Sequence, residues 1–228
     1  MHFSKKLYII KLKIFKNIEP LQKYVADLKK QQKSIGFVPT MGSLHDGHIS
    51  LLKESIIHNQ VTICSIYVNP KQFNDHQDFI CYPRQEKKDI ILLNNVRCDV
   101  LFMPSDNQIY PRLEESSITY ESTLVMSILE GEKRPGHFLG VLKIVYKLFY
   151  IINPDIAYFG EKDYQQLYII REFVENQNIN IQIQSCATIR ETSGLALSSR
   201  NKNLTIEEKA LALNIFKALS LFKEHIMH

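Results

Sequence analysis

An apolar run at residues 35–39, a turn at Gly42 and apolar residues at helical spacing over 49–57 follow one another directly. This order predicts a buried strand, a tight turn and then a helix. His45 and His48 lie in the connection about one helical turn apart, so both side chains can face the same ligand. Backbone N–H groups converge where a chain turns into a helix, and they favour an anion. The stretch therefore predicts a nucleotide phosphate site.

Strand-like and helix-like segments alternate along the rest of the chain. Further strands are predicted at 61–68, 99–103, 155–159 and 179–185, helices at 17–32, 85–95, 138–152 and 164–176, and loops at 69–84 and 131–137. Residues 7–14 fit an edge strand or a loosely held extension. The alternation predicts an α/β fold, namely a doubly wound Rossmann-like parallel sheet with a small C-terminal cap. Ligands of such sheets bind at the carboxyl ends of the strands.

The composition changes near Ile189, where a polar segment rich in small residues begins and runs to about residue 201. A last helix is predicted from Thr205, with Glu207 and Glu208 in its first turn. We therefore predict a nucleotide- and substrate-binding domain over residues 1–187 and a short cap over 188–228.

The net charge of +4, from 28 Lys and Arg against 24 Asp and Glu, decides little between small anionic ligands and nucleic acid. The four cysteines stand singly without a CxxC pair, which argues against zinc ribbons and disulfide frameworks and favours reduced thiols in the cytoplasm. Lys11 and Lys13 interrupt the apolar N-terminus, so a secretory signal is not expected, and no apolar run has the length of a membrane span.

Gly160-Glu161-Lys162-Asp163 directly follows the predicted strand at 155–159. It can be a strand-to-helix turn with solvated charges. In the functional interpretation, Lys162 places a point charge on phosphates and Asp163 accepts hydrogen bonds from ribose hydroxyls.

Ser198-Ser199-Arg200 is a third candidate phosphate segment. It can simply be a polar loop that caps a helix, or its hydroxyls and guanidinium can close over the β- and γ-phosphates. Three such segments in one α/β chain are much rarer by chance than any one of them.

Two amides and two cationic or imidazole side chains complete the candidates. Gln72 and Gln166 are either surface polar residues or readers of substrate hydroxyls, since an amide both donates and accepts. Arg134 and His137 flank a glycine turn and offer donors to a carboxylate, although a charged loop is the plain alternative. The histidine pair alone can be structural or can share a metal ion, but no further Cys/His cluster is evident.

Several motifs of other enzyme classes do not occur in this sequence. There is no GxSxG, no GxGxxG and no GxxxxGK[ST]. Hydride transfer on a Rossmann dinucleotide site and P-loop phosphoryl transfer are therefore both disfavoured, and no nucleophile with an adjacent base can be assigned.

Six blocks of residues together resemble the pantothenate synthetase (pantoate–β-alanine ligase) family, within the wider HxGH nucleotidyltransferase superfamily. They occur in the family's order across about residues 35–205. They are Pro39-Thr40-Met41-Gly42 with His45-Asp46-Gly47-His48, Val68-Asn69-Pro70-Lys71-Gln72-Phe73, Tyr82-Pro83-Arg84, Arg134-Pro135-Gly136-His137-Phe138, Phe159-Gly160-Glu161-Lys162-Asp163-Tyr164-Gln165-Gln166 and Gly194-Leu195-Ala196-Leu197-Ser198-Ser199-Arg200-Asn201.

The resemblance implies three groups of site residues. It implies an ATP site formed by Met41, Gly42, Ser43, Leu44, His45, Asp46, Gly47, His48, Gly160, Glu161, Lys162, Asp163, Ile189, Leu197, Ser198, Ser199 and Arg200. Within that set it implies catalytic roles for His45, His48, Lys162, Ser198, Ser199 and Arg200, with His48 as an acid. It implies that substrates contact Asn69, Gln72, Arg134, His137 and Gln166.

The resemblance also implies the chemistry. Pantoate and ATP would form pantoyl-adenylate and pyrophosphate, and β-alanine would then attack the adenylate to give pantothenate and AMP. Mg²⁺ would accompany the phosphates near Asp89, although Lys88 stands where family members often carry an acid. The protein would be a homodimer acting on small molecules, not on nucleic acid or membranes, with a cap shorter than usual. The alternatives are another HxGH-type nucleotidyltransferase and a degenerate nucleotide-binding protein.

Overall fold

Six parallel strands form one sheet in the computed structural model, which describes residues 12–111 and 123–226. The strands are β1 Lys13–Phe15, β2 Ile35–Thr40, β3 Val61–Ile66, β4 Val100–Phe102, β5 Ile156–Gly160 and β6 Gln182–Cys186, in the spatial order β1-β4-β3-β2-β5-β6. Every neighbouring pair is parallel. The prediction of a doubly wound α/β sheet is confirmed.

Helices cover both faces of the sheet. The α-helices are α1 Ile18–Lys30, α2 Asp46–His58, α3 His76–Cys81, α4 Glu86–Val96, α5 Asp106–Ile109, α6 Glu130–Lys133, α7 His137–Ile152, α8 Tyr164–Asn176 and α9 Ile206–Ile226, and short 3₁₀ helices lie at Pro70–Gln72, Leu124–Met126, Glu161–Asp163 and Ser199–Asn203. Phe37 of β2 belongs to a buried cluster with α1, α7 and α8, whereas its neighbour Val38 belongs to a second cluster with α2 and α4. Because alternate strand residues point to opposite faces, an apolar run such as β2 is what a sheet covered on both sides requires.

Helices occupy parts of two predicted loops, and one predicted helix begins earlier than expected. The segment 69–84 contains α3, which starts because Asp75 accepts a hydrogen bond from the Gln77 N–H as an N-cap. Helix α6 begins at Glu130 and overlaps the start of the predicted loop at 131–137, and the helix predicted over 49–57 begins earlier, at Asp46. In the N-terminal region the edge-strand prediction is met by β1, while its residues 7–11 lie outside the described part of the chain.

A short irregular segment connects β6 to the last helix. Arg190 and Ala196 form an isolated antiparallel bridge, and α9 starts as predicted, since Thr205 and Glu208 cap each other's backbone N–H groups. The domain boundary at residue 187 stays a prediction. Across the described residues, none of the helices is both long and apolar enough to cross a membrane.

The direction of winding reverses between β2 and β5, which lie side by side in the middle of the sheet. From β2 the chain proceeds through β3 and β4 toward one edge, and from β5 it proceeds to β6 at the other edge. Ligands of open α/β sheets bind in the crevice that forms at such a reversal, beyond the carboxyl ends of the strands. The turn that carries His45 and His48, here called the histidine turn, follows β2, and the Glu161–Asp163 turn follows β5, so both open onto this crevice.

Candidate active site

A cleft of about 270 Å³ lies at the reversal point and collects residues from all three predicted phosphate segments. The predicted site residues that line it are Met41, His45, Gly47, His48, Gln72, Arg134, His137, Gly160, Lys162, Asp163, Gln166, Ile189, Leu197, Ser198, Ser199 and Arg200. One wall is apolar, with Val141, Ile144, Val145 and Leu148 of α7, none of which was among the predicted site residues. The cleft therefore combines a cationic and hydroxyl-bearing part with an apolar part.

Seven predicted site residues do not line this cleft, and their assigned ligand contacts stay predictions. They are Gly42, Ser43, Leu44, Asp46, Glu161, Asn69 and Asp89. Gly42, Ser43, Leu44, Asn69 and Asp89 are buried behind the cleft, whereas Asp46 and Glu161 are exposed to solvent.

The two histidines cap the N-terminus of α2 with their side chains. The His45 Nδ1 accepts the Gly47 N–H at 3.2 Å, and the His48 Nδ1 accepts the His45 N–H at 3.3 Å. The ring centroids are 4.1 Å apart. Because both Nδ1 atoms accept, a neutral ring must carry its proton on Nε2. Both imidazoles are therefore fixed as Nε2–H donors.

Burial keeps the two rings neutral. Desolvation lowers the pKa of His48 to about 3, and repulsion from a protonated His45 and from Lys162 contributes in the same direction. Desolvation also lowers the pKa of His45, with Lys162 adding to the effect. At neutral pH the pair thus offers hydrogen bonds to an anion but carries no positive charge of its own.

A pH dependence of stability follows from His48. Its pKa falls from 6.5 in the unfolded chain to about 3 in the fold, so below pH 6.5 protonation favours the unfolded chain. We expect this residue to cost about 2 kcal/mol of unfolding free energy between pH 7 and pH 5. Denaturant titrations should show His48→Gln losing about 2 kcal/mol less than the wild type over that range. Equal losses in the two proteins would contradict the assignment.

Asp89 supports the loop that precedes the two histidines through hydrogen bonds to Ser43 and Leu44. The Ser43 and Leu44 N–H groups donate to its two carboxylate oxygens at 2.9 and 2.8 Å, and Asp89 is only 2% exposed. Ser43 adopts a left-handed backbone with φ of +50°, a conformation that needs such support. Ser199 adds a bond from its hydroxyl to the Ser43 carbonyl at 3.1 Å. The loop conformation thus depends on Asp89 and on Ser199 of the third phosphate segment.

These contacts do not fit Asp89 as a magnesium ligand. Its two oxygens accept backbone N–H groups, and burial raises the pKa of its carboxyl group, with the bonds from Leu44 and Ser43 opposing that rise. In the described part of the chain, no group of three or more His, Cys, Asp and Glu side chains could hold a metal ion. Mg²⁺ near Asp89 therefore stays a prediction without support from the side-chain arrangement.

Cations reach the cleft from three separate elements, and each has an acidic neighbour. The Lys162 ammonium lies 2.9 Å from the Asp163 carboxylate, on the turn that follows β5. Arg134 contacts Glu130 at 2.6 Å. Because both pairs are partly exposed to solvent, the acids cost the cations little of their ability to bind an anionic ligand. The third cation, Arg200, is held more tightly than these two.

Gln72 faces the cleft while its neighbour Asn69 stays fully buried. The Asn69 Nδ2 donates to the Gln72 Oε1 at 3.3 Å and to the Gly140 carbonyl at 3.2 Å. The Gln72 Nε2 lies 2.9 Å from the Met41 Sδ, and the Gln72 carbonyl is bonded to the His137 Nδ1 at 2.7 Å. Asn69 thus orients Gln72, and the direct substrate contact that the resemblance implies for Asn69 stays a prediction.

The fold and the cleft define the class of protein: a Rossmann-like α/β protein whose cleft lies at the sheet reversal, carries cationic and hydroxyl-bearing side chains and borders a histidine-capped helix. The sequence model of the family described as pantoate–β-alanine ligase matches residues 13–228. The chain belongs to the pantoate–β-alanine ligase family, which is a family of ligases.

Named relatives and solved structures agree with this membership. A pantothenate synthetase of Cytophaga hutchinsonii is 49% identical over 210 residues, which cover 92% of this chain and 74% of the relative. A crystal structure of the pantoate–β-alanine ligase of Francisella tularensis, complexed with β-γ ATP and β-alanine, is 47% identical with a TM-score of 0.85, covering 92% of this chain and 79% of that one. The pantothenate synthetase of Thermus thermophilus is 36% identical with a TM-score of 0.87, covering 93% and 75%.

Proposed function

We propose that this protein joins pantoate to β-alanine at the expense of ATP, through a pantoyl-adenylate, with release of pyrophosphate and AMP. The observation that carries the proposal is the meeting of His48, Lys162 and Arg200 with the amides of Gln72 and Gln166 in one cleft. The first three suit a polyphosphate, and the amides suit the hydroxyls of a small acid. The Francisella relative, which is complexed with β-γ ATP and β-alanine, supports the same substrates.

In the first step, a pantoate carboxylate oxygen attacks the α-phosphorus of ATP and the bond to the pyrophosphate oxygen breaks. The carboxylate is already an anion, so the site needs alignment and charge stabilisation rather than a strong base. The Nε2–H groups of His45 and His48 can donate to phosphate oxygens, and Lys162 can offset the developing charge. With its pKa lowered to about 3, free His48 suits a neutral hydrogen-bond donor better than the acid role that the resemblance implies.

In the second step, the neutral amine of β-alanine attacks the acyl carbon, the bond to the AMP oxygen breaks, and the amine loses a proton. The adenylate must survive until the amine arrives. The apolar wall with Val141, Ile144 and Val145 limits the water that can reach it. Gln72 and Gln166 would hold the pantoyl hydroxyls, and Arg134 and His137 would face a carboxylate.

Three further features remain part of the proposal. Mg²⁺ is expected on the ATP phosphates, and no step above depends on a protein ligand for it. A homodimer is expected from the family resemblance. The free cysteines Cys64, Cys81, Cys98 and Cys186 suit a reducing compartment such as the cytoplasm.

The test is pyrophosphate release by the purified protein with ATP and Mg²⁺, with and without pantoate and β-alanine. We expect steady release only with both acids present, together with stoichiometric pantothenate. Pantoate-dependent release that continues without β-alanine would show that the adenylate forms but escapes. ATP binding without any release would overturn the proposal in favour of a nucleotide-binding protein, and release that ignores pantoate would favour another nucleotidyltransferase.

A further inference from the structure

Arg200 forms a bidentate salt bridge with an acidic side chain from a distant part of the sequence. Its Nε and Nη2 donate to the two carboxylate oxygens of Asp78 at 3.1 and 2.8 Å, across 122 positions of sequence. Asp78 lies on α3, within the predicted loop at 69–84. The planes of a guanidinium and a carboxylate match in such a two-bond contact, which fixes the orientation of both groups.

The contact uses one edge of the guanidinium and leaves another edge open. An arginine side chain carries five N–H groups, and Asp78 takes the two on the edge formed by Nε and Nη2. The outer edge, formed by Nη1 and the remaining Nη2–H, can still hold a second anion in the same bidentate manner. Since Arg200 lines the cleft, a phosphate can bind there without breaking the bonds to Asp78.

The aromatic ring of Tyr82 lies next to the Arg200 guanidinium. The Arg200 Cζ lies 5.2 Å from the ring centroid of Tyr82, which is buried and also lines the cleft. The bonds from Arg200 hold the pKa of Asp78 below its usual range, and the same bonds raise the pKa of Arg200. The pair therefore stays ionised across the pH range in which an ATP-using enzyme works.

We infer that Asp78 is a positioning residue that fixes the Arg200 guanidinium with its outer edge toward the polyphosphate of the nucleotide. The inference rests on the proposed function, because it takes ATP as the ligand. A free arginine would lose its rotamer freedom when the nucleotide binds. Here that freedom is already lost on folding, so binding is tighter.

A double-mutant cycle with ATP as the probe tests this role. We expect Asp78→Asn to raise the Kd and the KM for ATP about tenfold, and Arg200→Met to raise them about 100-fold. If Asp78 acts through Arg200, Asp78→Asn should have almost no effect in the Arg200→Met background. Asp75→Asn, three positions earlier, is the matched control and should leave both constants unchanged, because asparagine also caps helices well.

Additive effects of the two substitutions, or an unchanged Kd in Asp78→Asn, would overturn the inference. Thermal unfolding checks the fold of each variant, and the partly exposed pair should contribute little to it. Arg200→Lys gives a second test that leaves Asp78 intact, since an ammonium cannot present two edges. It should weaken ATP binding to within about threefold of Arg200→Met, and wild-type affinity would also overturn the inference. A wild-type protein that binds no ATP would instead refute the proposed function, and this inference with it.

Discussion

Replacement of Lys162 by methionine is expected to lower kcat/KM for pantoate-dependent pyrophosphate release by about 100- to 1,000-fold. The ammonium lies at the carboxyl end of β5, and its charge acts on His45 and His48 across the cleft. The ammonium of Lys162 can therefore stabilise the negative charge that develops on the leaving pyrophosphate. Methionine keeps the length and much of the volume of the side chain but not the charge.

A second readout separates this electrostatic role from a structural one. Because the charge of Lys162 helps to lower the pKa of His45 and His48, its removal should raise the pKa of both rings. Histidine titrations followed by NMR would detect that rise. Lys87→Met, at an exposed position of α4 away from the cleft, is the control for activity and titration. A kcat/KM for Lys162→Met within about tenfold of that of Lys87→Met would contradict the role assigned to Lys162.

Local sequence patterns were sufficient to predict the parallel sheet and the strand, turn and helix that surround the two histidines. The central strands are short apolar runs because both faces of the sheet are covered, and such runs are visible without any tertiary information. Because ligands of α/β sheets bind at the carboxyl ends of the strands, the polar turns after β2 and β5 were both predicted to lie at that edge. That β2 and β5 are neighbours at the reversal of the sheet is seen only in the structure.

The contacts that support the cleft could not be predicted in this way. Asp89 bonds to Ser43 and Leu44 across 46 and 45 positions, and Asp78 bonds to Arg200 across 122. An acidic residue on an amphipathic helix has the same local pattern whether it meets solvent, a metal or a backbone N–H group. Only the packing of the helix decides between these roles. The assignment of Asp89 to a metal came from the family resemblance, and it stays a prediction.

Helix α3 was missed for a related reason. It has six residues, none of them buried, and so it shows no apolar periodicity. Its support comes from the Asp75 cap and from ring contacts of Phe79 with Phe73 and His76. These are contacts within a polar segment that otherwise resembles a loop.

Gly140→Ala is expected to destabilise the protein although alanine is the better helix former. Gly140 lies in α7, where the exchange by itself would gain about 1 kcal/mol. A Cβ at this position would lie only 2.3 Å from the Lys71 carbonyl oxygen and 3.0 Å from the Gln72 Cα. Those atoms are backbone, so the 3₁₀ helix Pro70–Gln72 must move as a unit. Overpacking of this kind costs about 3 kcal/mol, and the net loss of unfolding free energy should be about 2 kcal/mol.

The displacement of the 3₁₀ helix Pro70–Gln72 should also weaken substrate binding. Gln72 lies on the segment that must move, and the Asn69 side chain that orients it is bonded to the Gly140 carbonyl. A shift of about 1 Å in a substrate-positioning group costs up to about 100-fold, so we expect the KM for pantoate to rise about 10- to 100-fold. Denaturant titration and steady-state kinetics measure the two effects. Gly160→Ala is the stability control, because a Cβ there would meet nothing within 4 Å. If Gly140→Ala unfolds at the same denaturant concentration as Gly160→Ala and keeps the wild-type KM, the contact between α7 and the Gln72 segment is not what positions Gln72.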